Sequence, residues 1–163
     1  MDSLSREILY LGLAPGDGYG WGIASKYLSQ ELGRHMPAML LAQMPPSEWN
    51  KSLPGPFFQA LKNHFLDPVY QARGTKNYGY VFFEDEPTRR SIENAAAYDI
   101  VFTGSSWCTE KLRHAGISNA ETLIQGVDQT IFYPGPEPEE KLFTIFSGGK
   151  FEYRKGQIGR AHV

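Results

Sequence analysis

DIVFTGSSWCTEKLRHAGISNAETLIQGVDQTIFYP, Asp99 to Pro134, decides the fold. Asp99 to Thr103 is a short apolar run of strand length. Gly104-Ser105-Ser106 breaks it, and a serine there suits the cap of a following helix. Leu112 falls four residues after Cys108 and Ala115 three later, which is helical spacing. Gly116 is a helix stop. Glu121 to Gln125 reads as the next strand, followed by Gly126-Val127-Asp128 and then Phe132-Tyr133-Pro134. Strand, helix, strand in this order is a βαβ unit. It fixes a fold class, α/β with a doubly wound parallel sheet, and leaves function open.

Upstream, Glu7 to Ala14 is near-continuously apolar, as a central parallel strand buried on both faces should be. It runs into Pro15-Gly16-Asp17-Gly18-Tyr19-Gly20-Trp21-Gly22, and then into a helix with Ile23, Tyr27, Leu28 and Leu32 on one stripe. A glycine-rich turn at a helix start lets backbone approach a ligand closely, and the helix N-terminus favours an anion. The turn fails the dinucleotide pattern: G-x-G-x-x-G from Gly16 meets Trp21, and from Gly18 it meets Ile23. No GxxxxGK[ST] phosphate loop is present either.

Pro37 to Ala42 predicts a second strand, and Gln43 to Pro56 a proline-rich loop anchored by Trp49 and Leu53. Phe57 to Leu66 predicts a helix ending before Asp67-Pro68. Tyr78 to Phe83 reads as an aromatic strand and runs straight into Glu84-Asp85-Glu86-Pro87. Carboxylates at the carboxyl end of an inner strand stand where open α/β sheets place ligands. Glu84, directly after the strand, is the candidate acceptor-side or catalytic group. Asp85 and Glu86 suit equally the cap or first turn of the next helix, with Pro87 inside that turn. Thr88 to Tyr98 predicts that helix, with Ile92, Ala95 and Ala96 inward. Cys108 reads as a small buried residue, Trp107 as packing or a stacking ring, and His114 as a favourable charge at a helix C-terminus.

The totals bound the function. The chain has 163 residues, enough for one domain with a substantial core. With 41% hydrophobic and 21% charged residues it is not a disordered sequence. A net charge of −2 offers no basic field to nucleic acid or an anionic membrane. The apolar runs fall far short of the roughly 20 residues that span a bilayer. The first residues lack the signal-peptide pattern. One cysteine and four scattered histidines make neither a disulfide nor a metal-ligand cluster, so no metal is expected.

At the other end, 135–141 is a Pro- and Glu-rich linker, Leu142 to Ser147 a strand, and Gly148 to Gly156 a loop carrying Gly149, Lys150, Arg154 and Lys155. The series Ser105/Ser106, Trp107, Leu112, Gly116, Gly126-Val127-Asp128, Phe132 and Pro134 resembles the end of the first domain of GT-B glycosyltransferases, the retaining, nucleotide-sugar-dependent "glycosyl transferases group 1" type. Gln125 stands where that family more often has asparagine. The resemblance covers Asp99 to Gln157 closely and the preceding residues more loosely.

The resemblance implies a transferase moving a sugar from a nucleotide diphosphate-sugar to a glycan, lipid or protein acceptor, with no cofactor beyond that substrate. Residues 1–134 would form the acceptor-side domain, 135–141 the linker, and 142–157 the opening of a donor-binding domain. The rest of that donor domain, on the order of 150 residues, would be the main partner, and the chain alone should be inactive. Lys150 and Lys155, with Gly149 and Arg154 beside them, would clasp the donor diphosphate. The turn holding Gly16, Asp17, Gly18, Gly20 and Trp21 would lie at the interdomain cleft, and residues 69–77 would bear on acceptor choice. The family often has a histidine near Glu84, and none follows this strand. Residues 158–163 break the pattern and match a translated sequencing-library adapter, so they are expected to be an assembly artefact. A bacterial, cytoplasmic enzyme is the expectation, with peripheral membrane attachment of the intact enzyme left open. The rival readings are a sugar-nucleotide epimerase of the same fold and a non-enzymatic α/β ligand-binding domain.

Overall fold

Six strands form one parallel sheet, and their order reverses once. In the computed structural model, which describes residues 7–83 and 85–136, the strands are β1 (Leu9–Gly12), β2 (Ala38–Leu40), β3 (Phe57–Ala60), β4 (Asn77–Val81), β5 (Ile100–Thr103) and β6 (Ala120–Thr122). They lie in the order β2-β1-β3-β4-β5-β6, every pair parallel. The helices are α1 (Gly20–His35), α2 (Arg89–Ala95) and α3 (Ser106–His114). Two short 3₁₀ turns, Leu41–Gln43 and Pro46–Glu48, follow β2. The doubly wound α/β reading is therefore correct. The chain divides into two units, Met1–Gly126 and Val127–Val163, and the sheet and all three helices belong to the first.

Alternation along the strands sorts the core onto two faces. Leu9 and Leu11 of β1, Phe58 of β3 and Tyr80 of β4 face Trp21, Leu28 and Leu32 of α1. On the opposite face, Val81 and Val101 pack with Ala95 of α2, Leu112 of α3, Ile117 and Leu66. Tyr10, Phe57, Leu41 and Leu53 make a third cluster, against which Trp49 and Tyr70 pack. Trp49 anchors its loop as expected, donating its indole N–H to the Leu41 carbonyl at 2.9 Å and meeting the Tyr70 ring edge-on at 5.4 Å. Each fully buried Leu or Phe contributes roughly 1.5–3 kcal/mol by leaving water.

The β5–α3–β6 unit forms as its sequence dictates. The Ser105 hydroxyl caps α3 by accepting from the Cys108 N–H at 3.2 Å. Gly116 leaves the helix at φ 101°, a conformation that L side chains resist. Thr103, Thr109 and Thr122 hydroxyls join strand to helix to strand in a chain of 2.8 and 2.6 Å bonds. β6 begins and ends earlier than the expected 121–125. Of the backbone groups that β6 turns away from β5, those of Ala120 are spoken for: the N–H donates to Ile117 O, and the Arg113 guanidinium donates to the carbonyl at 2.9 Å.

Four expectations are corrected. Phe57–Ala60 is a strand at the centre of the sheet, not the start of a helix over 57–66. Phe57 and Gln59 are both completely buried, so no solvent face exists for a helix to present. Gln59 is fixed by accepting from the Tyr70 N–H and donating to the Tyr98 hydroxyl. The inward stripe of α1 is Trp21, Ser25, Leu28 and Leu32, while Ile23 and Tyr27 face solvent. On α2, Ser91 and Ala95 point inward and Ile92 outward. Finally, α2 is capped by Thr88, in a capping box with Ser91, so neither Asp85 nor Glu86 caps it and Pro87 precedes the helix.

In the second unit the described residues include a turn built on Asp128. Its carboxylate accepts from the Thr130 N–H at 2.9 Å and from the Thr130 hydroxyl, and its carbonyl accepts from Ile131 and Phe132. An Asx turn of this kind explains an aspartate at this position without any ligand.

Candidate functional site

β2 and β3 flank β1 on opposite sides, so the strand order reverses between β1 and β3. Open α/β sheets bind ligands in the crevice outside the carboxyl ends of the strands at such a reversal. A cavity of about 220 Å³ lies there. Gly12 and Ala14 form the end of β1, Tyr19, Trp21 and Ser25 the start of α1, and Lys62 and Asn63 the exit from β3. The volume is below the roughly 300–1,000 Å³ of sites that enclose whole drug-sized ligands. It matches one ring or one phosphate-sized group.

The glycine-rich turn roofs this crevice by closing on itself. The Gly16 N–H donates to the Gly22 carbonyl at 3.1 Å. A Cβ on Gly22 would stand 2.5 Å from the Gly16 carbonyl oxygen, so only glycine permits this closure. The Tyr19 ring lies over both glycines, and its hydroxyl donates to the Ala14 carbonyl at 2.9 Å. Gly18 and Gly20 face open space. The Asp17 carboxylate takes Lys26 of α1 at 2.8 Å, and that bond holds the lysine pKa above its ordinary value. Asp17 thus braces the turn from outside.

Trp21 sets the inner wall. Its ring packs 4.3 Å from Phe82 and meets Tyr80 edge-on at 5.9 Å. Burial pushes the Tyr80 phenol up to about 12, so it remains neutral at any ordinary pH. Beneath the turn, Ser25 is 3% exposed and its hydroxyl makes no hydrogen bond among the described residues; it opens into the crevice. α1 begins with no side-chain cap and no acid in its first turn. Its first N–H groups therefore lack intrahelical partners at the mouth of the cavity. Lys62, exposed on the opposite rim, has no carboxylate partner among the described residues. Hydroxyl, free helix N–H groups and ammonium give this crevice donors and a positive bias, the chemistry that receives an anionic or polyhydroxylated group.

Five sequence-derived candidates, Gly16, Asp17, Gly18, Gly20 and Trp21, thus meet in one turn at the crevice. Ser25, Lys62 and Asn63 were not foreseen. The last two are invisible as site residues so long as 57–66 is read as a helix. Only a strand ending at Ala60 brings them to the sheet edge. His64 follows them and pairs with Asp85 at 3.0 Å. Glu84 itself, and Gly149, Lys150, Arg154 and Lys155, lie outside the described residues. Among the described residues no three His, Cys, Asp or Glu side chains gather as a metal-ligand set, and no helix is long and apolar enough to cross a membrane. No protein-family model matches the chain, and neither a curated protein nor a solved structure matches it.

Proposed function

We propose that this chain is the acceptor-side part of a GT-B glycosyltransferase, which moves a sugar from a nucleoside diphosphate-sugar to a glycan, lipid or protein acceptor. The observation that carries this reading is the glycine-rich turn at the strand-order reversal. It roofs a ring-sized crevice whose donors are an uncapped helix start, Ser25 and Lys62. The Gly-Val-Asp sequence that closes the sheet domain adds support.

In this reading the crevice takes the part of the substrate nearest the reacting carbon, and Trp21 excludes water from its inner wall. Breakage of the glycosyl bond puts charge on the leaving diphosphate. Fixed cations stabilise that charge most where it develops. Lys150 and Lys155, aided by Arg154, take that role in this reading. Glu84, the residue before Asp85 in sequence, is the acceptor-side candidate. The reading places the enzyme in the cytoplasm.

The test is release of nucleoside diphosphate by the complete reading frame, with UDP-, GDP- and ADP-sugars offered alongside a mixture of glycan and lipid acceptors. The expected outcome is acceptor-dependent release from one donor class, falling about 10²-fold in turnover for Lys155→Ala. Release no greater than spontaneous hydrolysis with all three donor classes overturns the reading.

A further inference from the structure

A second hollow lies on the exposed side of α3, away from the turn just described. Glu86, Pro87, Trp107, Glu110, Lys111 and His114 line it, and its volume is about 530 Å³. Trp107, Glu110, Lys111 and His114 are spaced i, i+3, i+4 and i+7, so they share one helix stripe, opposite the buried Thr109 and Leu112. Trp107 is 63% exposed, far more than a tryptophan that serves packing.

The ring is held ready rather than left loose. The Lys111 ammonium lies 5.0 Å from its centroid, and Glu86 fixes that ammonium with an ion pair. Beyond the Lys111 ammonium, the rim offers acceptors. His114 Nδ1 lies 2.8 Å from the Glu110 carbonyl. A carbonyl oxygen only accepts, so Nδ1 carries the proton and Nε2 of the neutral ring is left as an acceptor. The Glu110 carboxylate makes no hydrogen bond among the described residues, and Glu86 keeps one oxygen beyond the one that takes Lys111.

An apolar plate ringed by acceptors selects its ligand by elimination. An anion meets the two carboxylates. A second cation on the ring is repelled by the Lys111 charge already there. A neutral ligand with a flat C–H face and a rim of hydroxyl donors satisfies both parts. The geometry points to a carbohydrate subsite: Trp107 stacks against one neutral pyranose of a glycan, whose hydroxyls donate to Glu110, His114 and the free oxygen of Glu86. The subsite stands whether or not the chain belongs to a transferase.

The test observes the three tryptophan indole N–H signals of the ¹⁵N-labelled chain during titration with cellopentaose, chitopentaose and, separately, tetramethylammonium chloride. The expected result is a saturable shift of the Trp107 signal at millimolar pentasaccharide, with the Trp49 signal unmoved. Trp107→Ala removes binding of the sugar. Trp107→Phe keeps it within about tenfold, as a smaller ring retains most of the stacking. Because Trp107 is exposed, both variants should melt within a few degrees of the parent. Pentasaccharides that leave the Trp107 signal in place overturn the proposal, as does sugar binding that survives in Trp107→Ala. A Trp107 shift with tetramethylammonium alone overturns it in favour of a cation site. None of these readouts depends on sugar transfer, so this subsite and the transferase reading fail separately.

Discussion

Two βαβ units of this sheet, β5–α3–β6 and β1–α1–β2, treat their helix starts in opposite ways. In β5–α3–β6 the Ser105 hydroxyl caps the helix, and three threonine hydroxyls bond to one another and to the Ser105 carbonyl. In β1–α1–β2 no side chain caps the helix, the turn is closed by Gly16 against Gly22, and the Ser25 hydroxyl opens into a cavity. The first crossover consumes its own polar groups and is structural. The second leaves them available, and it is the one that lies where the strand order reverses. An unsatisfied helix start is thus informative here because its neighbours in the same sheet, α2 included, are capped.

Four measurements break or sharpen this contrast, the first by core truncation. Leu112 is fully buried on α3, whereas Leu28 on α1 is only partly buried. Leu112→Ala should cost about 3 kcal/mol in urea unfolding, and Leu28→Ala about 1 kcal/mol. Equal losses would erase the difference in how firmly the helices are fastened. Next, Gly22→Ala places a Cβ against the Gly16 carbonyl and should cost about 2 kcal/mol, seen as a lower thermal midpoint. An unchanged midpoint would show that the turn does not close as described.

Removing the cap by Ser105→Ala should cost about 1 kcal/mol. The smallest effect is confined to alkaline solution. Tyr80 touches both βαβ units, meeting Trp21 edge-on and donating to the Leu123 carbonyl at 3.4 Å. Its folded pKa is raised from 10 to about 12, so its contribution is fully present below pH 10 and is lost as the pH rises towards 12. Tyr80→Phe should therefore unfold less readily than the parent at pH 11 relative to their order at pH 8. Thermal melts at both values check this, and identical pH dependence would contradict it.

How far the sequence could be read depended on whether the controlling contacts were local. The capped helix α3 and its Gly116 stop are set by adjacent residues, and both were legible. So was the glycine-rich turn, because four glycines within seven residues after an apolar run have few other uses. β3 was not legible. FFQALKNHFL carries apolar residues at helical spacing, and what makes it a strand is its distant surroundings. Tyr70 and Tyr98 satisfy Gln59, and Leu66 turns the chain at φ 56° with its side chain fully buried. That one misreading hid half of the site, since Lys62 and Asn63 reach the crevice only as the exit of a strand. The α1 stripe failed more gently. Its inward face begins with the small residues Gly22 and Ser25, which a hydrophobicity pattern passes over.

The guanidinium of Arg113 has a consequence beyond holding β6 to α3. β6 is an edge strand, and an edge offers its outward N–H and C=O groups to any extended chain that drifts past. Here the strand is three residues long, and of these Ala120 has its N–H donated to Ile117 and its carbonyl covered by Arg113, whose other nitrogen is tied to Glu121. A foreign strand would find the first of its pairing positions on this edge already taken. One side chain thus shortens the open part of this border, which makes Arg113 a hindrance to strand addition as much as a structural link.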